Sequence, residues 1–154
     1  MVLSGSTRLH AQSGAPSEMQ FAQFLVGTWS CSHTVGDFSG TYTTTITNAL
    51  GNRWLRQTYD FPASVSKPAV QAEFFIGYDP RNKRWLRTGA MSDGLYFTMV
   101  GVLRNNAWYY GYVLPGAAGT AVYTKKSNSA YTVDGPSYPE NGRTVTEHHS
   151  CRKT

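Results

Sequence analysis

The chain has 154 residues, of which 40% are hydrophobic, 14% aromatic and 15% charged, and its formal net charge is +5. That length supports one domain with a sizeable core. The low charged fraction with abundant Gly, Thr, Ser and Tyr argues against a helical bundle and for an all-β chain rich in turns. No stretch approaches the ~18 apolar residues of a membrane helix, so no membrane span is expected and the protein reads as soluble.

Residues 1–16 show no hydrophobic periodicity. Leu9-His10-Ala11-Gln12 resembles the end of a secretory signal with an alanine before the cut, but the apolar segment of such a signal is missing. This segment is read as a signal remnant or disordered tail, with a secreted or periplasmic location and a single domain over 17–154. The next segment carries a helix signal. Pro16 precedes Ser17, with Gln20 three residues on as a capping box, and Phe21, Phe24 and Leu25 share one face. A short helix over about 18–25 is expected, leaving at Gly27.

From Thr28 onward, short β-segments alternate with Gly, Asn, Asp and Pro at intervals of about ten residues. Strands are expected near 28–35, 40–48, 53–61, 71–78, 84–90, 94–103, 107–114, 119–126, 129–134 and 143–152, with 135–142 as a longer loop ending in Asn141-Gly142. The basic residues fall at apparent turns: Arg81, Lys83, Arg84 and Arg87 at one hairpin, Lys125 and Lys126 at another, and Arg152 and Lys153 at the end. They read as solvated turns rather than a nucleic-acid groove, so no nucleic-acid partner is expected.

Ten antiparallel strands in chain order leave two open edges unless the sheet closes on itself. The two cysteines, Cys31 and Cys151, lie on the first and last of these strands. In an oxidising compartment they form a disulfide across the seam of a closed up-and-down barrel; the alternative is two buried thiols. Their spacing excludes a CxxC redox motif or a cysteine zinc site.

Three stretches, Phe24-Leu-Val-Gly-Thr-Trp-Ser-Cys31, Phe74-Phe-Ile-Gly-Tyr-Asp-Pro-Arg-Asn-Lys-Arg-Trp85 and the ending Thr146-Glu-His-His-Ser-Cys-Arg-Lys153, resemble the secreted bacterial proteins of the DUF1579 type, which are similar to lipocalin and nitrobindin β-barrels. The resemblance spans about residues 18–153. It implies an antiparallel barrel with a hydrophobic ligand cavity, and in the nitrobindin branch a haem held by a histidine of the last strand, where His148 and His149 stand. Gly27-Thr28-Trp29 matches the Gly-x-Trp opening of lipocalin-like barrels. The two glycines that follow it in the nitrobindin pattern are replaced here by Cys31 and His33, against close approach of a porphyrin.

If Trp29 faces inward as in such barrels, period-two alternation puts Cys31 and His33 on its face. The disulfide then brings Cys151, His149, Glu147 and Val145 inward and leaves Thr146, His148 and Ser150 outside. His33, Glu147 and His149 thus converge in the interior, as hydrogen-bonded polar residues, as metal or haem ligands, or as an acid–base pair on a bound substrate. Tyr42, Thr44 and Ile46 share a face, as do Leu55, Gln57, Tyr59 and Phe61. Candidate ligand-binding residues are Trp29, Tyr42, Tyr59, Phe75, Trp85, Phe97, Met99, Trp108 and Tyr110, with Leu95 a further apolar candidate and Glu73 a second interior acid. The chain has no G-x-S-x-G, HExxH, P-loop or G-x-G-x-x-G motif. The leading expectation is a secreted barrel binding a small hydrophobic or aromatic molecule without a cofactor. The alternatives are a cofactor-free Glu/His enzyme acting on a small aromatic substrate and a haem protein with His149 as ligand; the oligomeric state is left open.

Overall fold

The computed structural model describes residues 16–63, 68–114, 119–140 and 142–154. The leader expected over 1–16 therefore lies, Pro16 apart, outside the described residues. Ten antiparallel strands follow one another around a closed barrel: β1 (Gly27–Val35), β2 (Phe38–Ala49), β3 (Trp54–Phe61), β4 (Val70–Asp79), β5 (Arg84–Met91), β6 (Tyr96–Arg104), β7 (Ala107–Leu114), β8 (Thr120–Ser127), β9 (Ala130–Glu140) and β10 (Arg143–Lys153). Each strand pairs with its neighbour in sequence, and β1 pairs with β10 to close the ring. The Cys31–Cys151 disulfide crosses that seam, joining directly opposed residues.

One helix, α1 (Ser17–Ala22), passes into a 3-10 turn over Gln23–Leu25. The expected capping box does not form. Pro16 is the N-cap, so Ser17 is already helical and its hydroxyl bonds Glu18 Oε2 at 3.1 Å. The exit at Gly27 has φ 137°, a conformation that glycine takes without steric cost.

The helical segment plugs one end of the barrel. Met19, Ala22, Phe24 and Leu25 are buried, Phe21 and Phe24 contact the Trp108 ring, and Phe24 meets Trp29 edge-on. Trp29 Nε1 donates to the Leu25 carbonyl at 2.7 Å. Lys153 Nζ donates to the Phe24 and Val26 carbonyls at 2.8 Å each, satisfying acceptors that the end of a helix leaves free. Each large apolar side chain buried in this plug stabilises the fold by roughly 1.5–3 kcal/mol.

Alternation along the strands puts Tyr42, Thr44, Ile46, Leu55, Gln57, Tyr59, Trp85, Met99, Trp108 and Tyr110 in the buried interior. Four expectations are corrected. β4 is offset by one residue: Ala72, Phe74 and Ile76 are the buried set, so Phe75 lies on the outer face, paired with Arg56 and Thr88. Glu73 is outside with it, held bidentately by Arg56 at 2.8 and 2.7 Å, and is not an interior acid. Leu95 precedes β6 and is exposed. Arg87, grouped by sequence with a solvated hairpin, is buried, whereas Arg81, Lys83 and Arg84 are exposed.

The segment expected as a loop after residue 134 continues as strand to Glu140. Its Gly135-Pro136 pair lies at a register shift opposite the Thr146–His148 stretch of β10. A bulge accommodates proline, which has no N–H for the ladder.

Replacing Cys31 and Cys151 together with alanine is expected to lower the unfolding free energy by up to about 4–5 kcal/mol, because the bridge closes a loop of over a hundred residues in the unfolded chain. Urea titration of the two proteins checks this.

Candidate functional site

The β1–β10 register sets Cys31 opposite Cys151, His33 opposite His149 and Val35 opposite Glu147. The inward face of the seam therefore carries the disulfide and, one step further towards the end that the described residues leave unplugged, two imidazoles and a carboxylate. Glu147 Oε1 lies 2.9 Å from His33 Nε2 and 3.2 Å from His149 Nε2. The His33 nitrogen is buried but its ring N–H is not aligned for a hydrogen bond, so that contact is electrostatic. The two rings stack with centroids 4.4 Å apart and planes 9° apart. Space for the carboxylate comes from the β9 bulge: a Cβ at Gly135 would lie 2.8 Å from Glu147 Cβ and 3.0 Å from Oε2.

The second nitrogen of His149, Nδ1, is 2.9 Å from the Tyr42 hydroxyl. Burial, followed by nearby phenols, raises the Tyr42 pKa well above its ordinary value, so Tyr42 keeps its proton. Burial is also the largest influence on His149 and lowers its pKa despite the Glu147 carboxylate, which favours the imidazolium. For Glu147, burial works to raise the pKa, but the imidazoles of His149 and His33 beside it outweigh this and hold the carboxyl well below the usual range. The consistent neutral-pH arrangement has Tyr42 O–H donating to His149 Nδ1, while His149 Nε2 faces the ionised Glu147 carboxylate at 3.2 Å.

One donor atom from each of His33, Glu147 and His149 lies within 4.8 Å of the others. Two imidazoles and a carboxylate suit a transition metal, but nearly parallel stacked rings direct their lone pairs side by side rather than to one point. The haem expectation for His149 also fails to fit, since one ring nitrogen is bonded to Tyr42 and the other faces Glu147. His148, the neighbouring candidate for that role, is exposed and pairs with Asp134 at 2.6 Å.

This cluster sits on the wall of a cavity of about 590 Å³ at the unplugged end, bounded by Phe38, Gly40, Tyr42, Phe61, Val70 and Met91 together with His33 and Glu147. An inner pocket of about 200 Å³ shares Phe61, Met91 and Glu147 with it and is further lined by Tyr59, Phe74, Arg87, Phe97, Tyr112, Tyr123 and His149. Burial pushes Tyr112 up to about 12 and Tyr59 higher, so these phenols are neutral at physiological pH. Behind them runs a buried polar chain in which Arg87 Nη2 donates to Tyr59 Oη at 2.7 Å and Gln57 Oε1 at 3.3 Å, and Gln57 Nε2 donates to Thr44 Oγ1 at 3.2 Å.

Of the residues singled out by sequence, Tyr42, Tyr59 and Phe97 line these two spaces, with His33, Glu147 and His149. Trp29, Trp85, Met99, Trp108 and Tyr110 belong to the packed core. Phe75 is outside, and Phe74 is the β4 phenylalanine that lines the inner pocket. Arg87 was missed, although its spacing of two from the inward Trp85 places it on the same face.

The fold defined by these strands is a closed ten-stranded antiparallel β-barrel with a helical plug. The chain is similar in fold to Rv2717c from M. tuberculosis, with a TM-score of 0.62 and 11% identity over 92% of this chain and 99% of that one. It is likewise similar to a redesigned β-barrel, with a TM-score of 0.50 and 11% identity over 86% and 94% of the two chains. No protein-family model matches the chain, and no curated protein matches it.

By proton NMR, His149 is expected to titrate below its ordinary value of 6.5, and lower still in Glu147→Gln, which removes an influence that raises it. Because the folded protein takes up this proton less readily than the unfolded chain, the associated stability is present above about pH 6.5 and is lost as pH falls through the depressed value. The Glu147 contribution has the same sign and is lost at lower pH, on acidification below the ordinary carboxyl value of 4.5. A midpoint above 6.5, or one raised by Glu147→Gln, would contradict this arrangement.

Proposed function

We propose that this protein is a secreted barrel that binds a small hydrophobic or aromatic molecule through the unplugged end, without a cofactor. The observation that carries this reading is the cavity of about 590 Å³, walled by Phe38, Tyr42, Phe61, Val70 and Met91 and adjoining a second aromatic pocket. A concave, mainly apolar space with few polar groups is the usual form of a small-molecule site. The resemblance of the sequence to DUF1579-type, lipocalin-like proteins supports the same reading. The Cys31–Cys151 disulfide, and the lack of a helix long and apolar enough to cross a membrane among the described residues, are consistent with secretion.

A second reading rests on the Tyr42–His149–Glu147 chain. A phenol bonded to an imidazole that faces a carboxylate at a cavity wall can move a proton to or from a bound aromatic substrate. Turnover on an aromatic panel that is lost in His149→Gln, with the fold retained by circular dichroism, would support catalysis. Turnover unaffected by the substitution would remove this chain from it.

Nile red, a neutral apolar fluorophore, is expected to bind with a blue-shifted emission. Gly40→Trp fills the mouth, where even a Cβ already meets the Phe38 ring at 3.2 Å. That variant is expected to weaken binding by about tenfold or more, equivalent to ~1.4 kcal/mol. Unchanged affinity in a folded Gly40→Trp protein would show that the dye binds elsewhere.

A further inference from the structure

Binding of a neutral apolar molecule leaves one feature of the inner pocket unused. Arg87 projects from the middle of β5 into the barrel and is only 3% exposed. Its guanidinium carbon lies 4.2 Å from the centroid of the Phe74 ring, with Phe97 and Tyr123 at 5.4 Å and Tyr59 at 5.7 Å. Its hydrogen-bond acceptors, Tyr59 Oη and Gln57 Oε1, are neutral. Among the described residues no carboxylate forms an ion pair with it, and its Nε is buried without a hydrogen-bond partner.

A desolvated cation is costly unless paired. Aromatic faces recover part of that cost through cation–π attraction but leave the Nε–H unsatisfied. Guanidinium binds carboxylates through strong charge-assisted hydrogen bonds. Arg87 also lines the pocket of about 200 Å³, so its side chain adjoins space that a ligand can fill. Glu147 is the acid among that pocket's lining residues, and its charge repels an anion from its own side.

We infer that Arg87 recognises the carboxylate of an apolar monocarboxylic acid, which accepts from the guanidinium while its flat or aliphatic body lies among Phe74, Phe97 and Phe61 and extends towards the mouth. This rests on the proposed ligand-binding reading and assigns the ligand class. It makes Arg87 a binding residue rather than a structural one.

The test compares trans-cinnamate with its neutral isostere cinnamamide at neutral pH in carboxylate-free buffer, by Nile red displacement and by the NMR signal of the Arg87 Nε–H. Cinnamate is expected to displace the dye at least about tenfold more tightly than the amide and to move the Nε–H signal. Arg87→Met is expected to reduce the acid to the level of the amide. The acid-to-amide ratio in the unaltered protein reads the effect even if that variant fails to fold.

Equal displacement by acid and amide with an unmoved Nε–H would overturn the Arg87 assignment and leave the apolar cavity standing. Failure of Nile red to bind would instead count against the cavity reading. Formate then decides the anion site on its own: an Nε–H shift keeps it, and no shift removes it.

Discussion

The pairing of β1 with β10 is the constraint on which the rest of the molecule depends. Closing the ring removes both sheet edges, and the disulfide between Cys31 and Cys151 restricts the chain at that closure. A slip of one residue would reverse every side chain on a strand. The observed register puts His33 beside His149 and Val35 opposite Glu147, so the polar cluster is a direct consequence of how the barrel is sealed. The opposite end is sealed by the α1 segment, with Trp29 and Lys153 bonding to its carbonyls. One end is thus packed and the other holds the cavity.

Within this frame the interior is divided by chemistry. The plugged half is a core of Trp29, Trp85, Met99, Trp108 and Tyr110. The other half combines aromatic walls with two charged side chains in unlike surroundings. Glu147 is surrounded by imidazoles, whereas Arg87 is surrounded by neutral acceptors and ring faces. An apolar acid entering this space would find its complementary charge at Arg87 and a repulsive one at Glu147, which gives the pocket a direction. Tyr42 and Glu147 face the outer cavity, and His149 lies between them.

Much of this arrangement could be read from the sequence because turn residues recur at about ten-residue intervals and because the cysteines mark the closing strands. Period two from Trp29 and Cys151 was enough to bring His33, Glu147 and His149 to one face. The same rule was ambiguous on β4, where Phe74 and Phe75 are adjacent and either could serve the core; packing selects Phe74, and the outer ion pair of Arg56 with Glu73 fits the other parity. Arg87 was obscured by Arg81, Lys83 and Arg84, whose position at a turn suggested a solvated cluster. Its alternation with Trp85 carried the correct signal, but a buried unpaired cation runs against the usual cost of burial. Gly135-Pro136 read as a loop because neither residue favours a strand, yet as a bulge they preserve β9 and make room for Glu147. The Tyr42 bond to His149 depends on proximity of non-neighbouring strands, which alternation alone does not define.

A crystal structure of the protein soaked with trans-cinnamate tests the account most directly. The account predicts the ring inside the unplugged half among Phe61, Phe74 and Phe97, with the carboxylate in hydrogen-bonding reach of the Arg87 guanidinium. A ligand bound on the outer face of the barrel, or one inside it with its carboxylate turned out to solvent and Arg87 untouched, would contradict it.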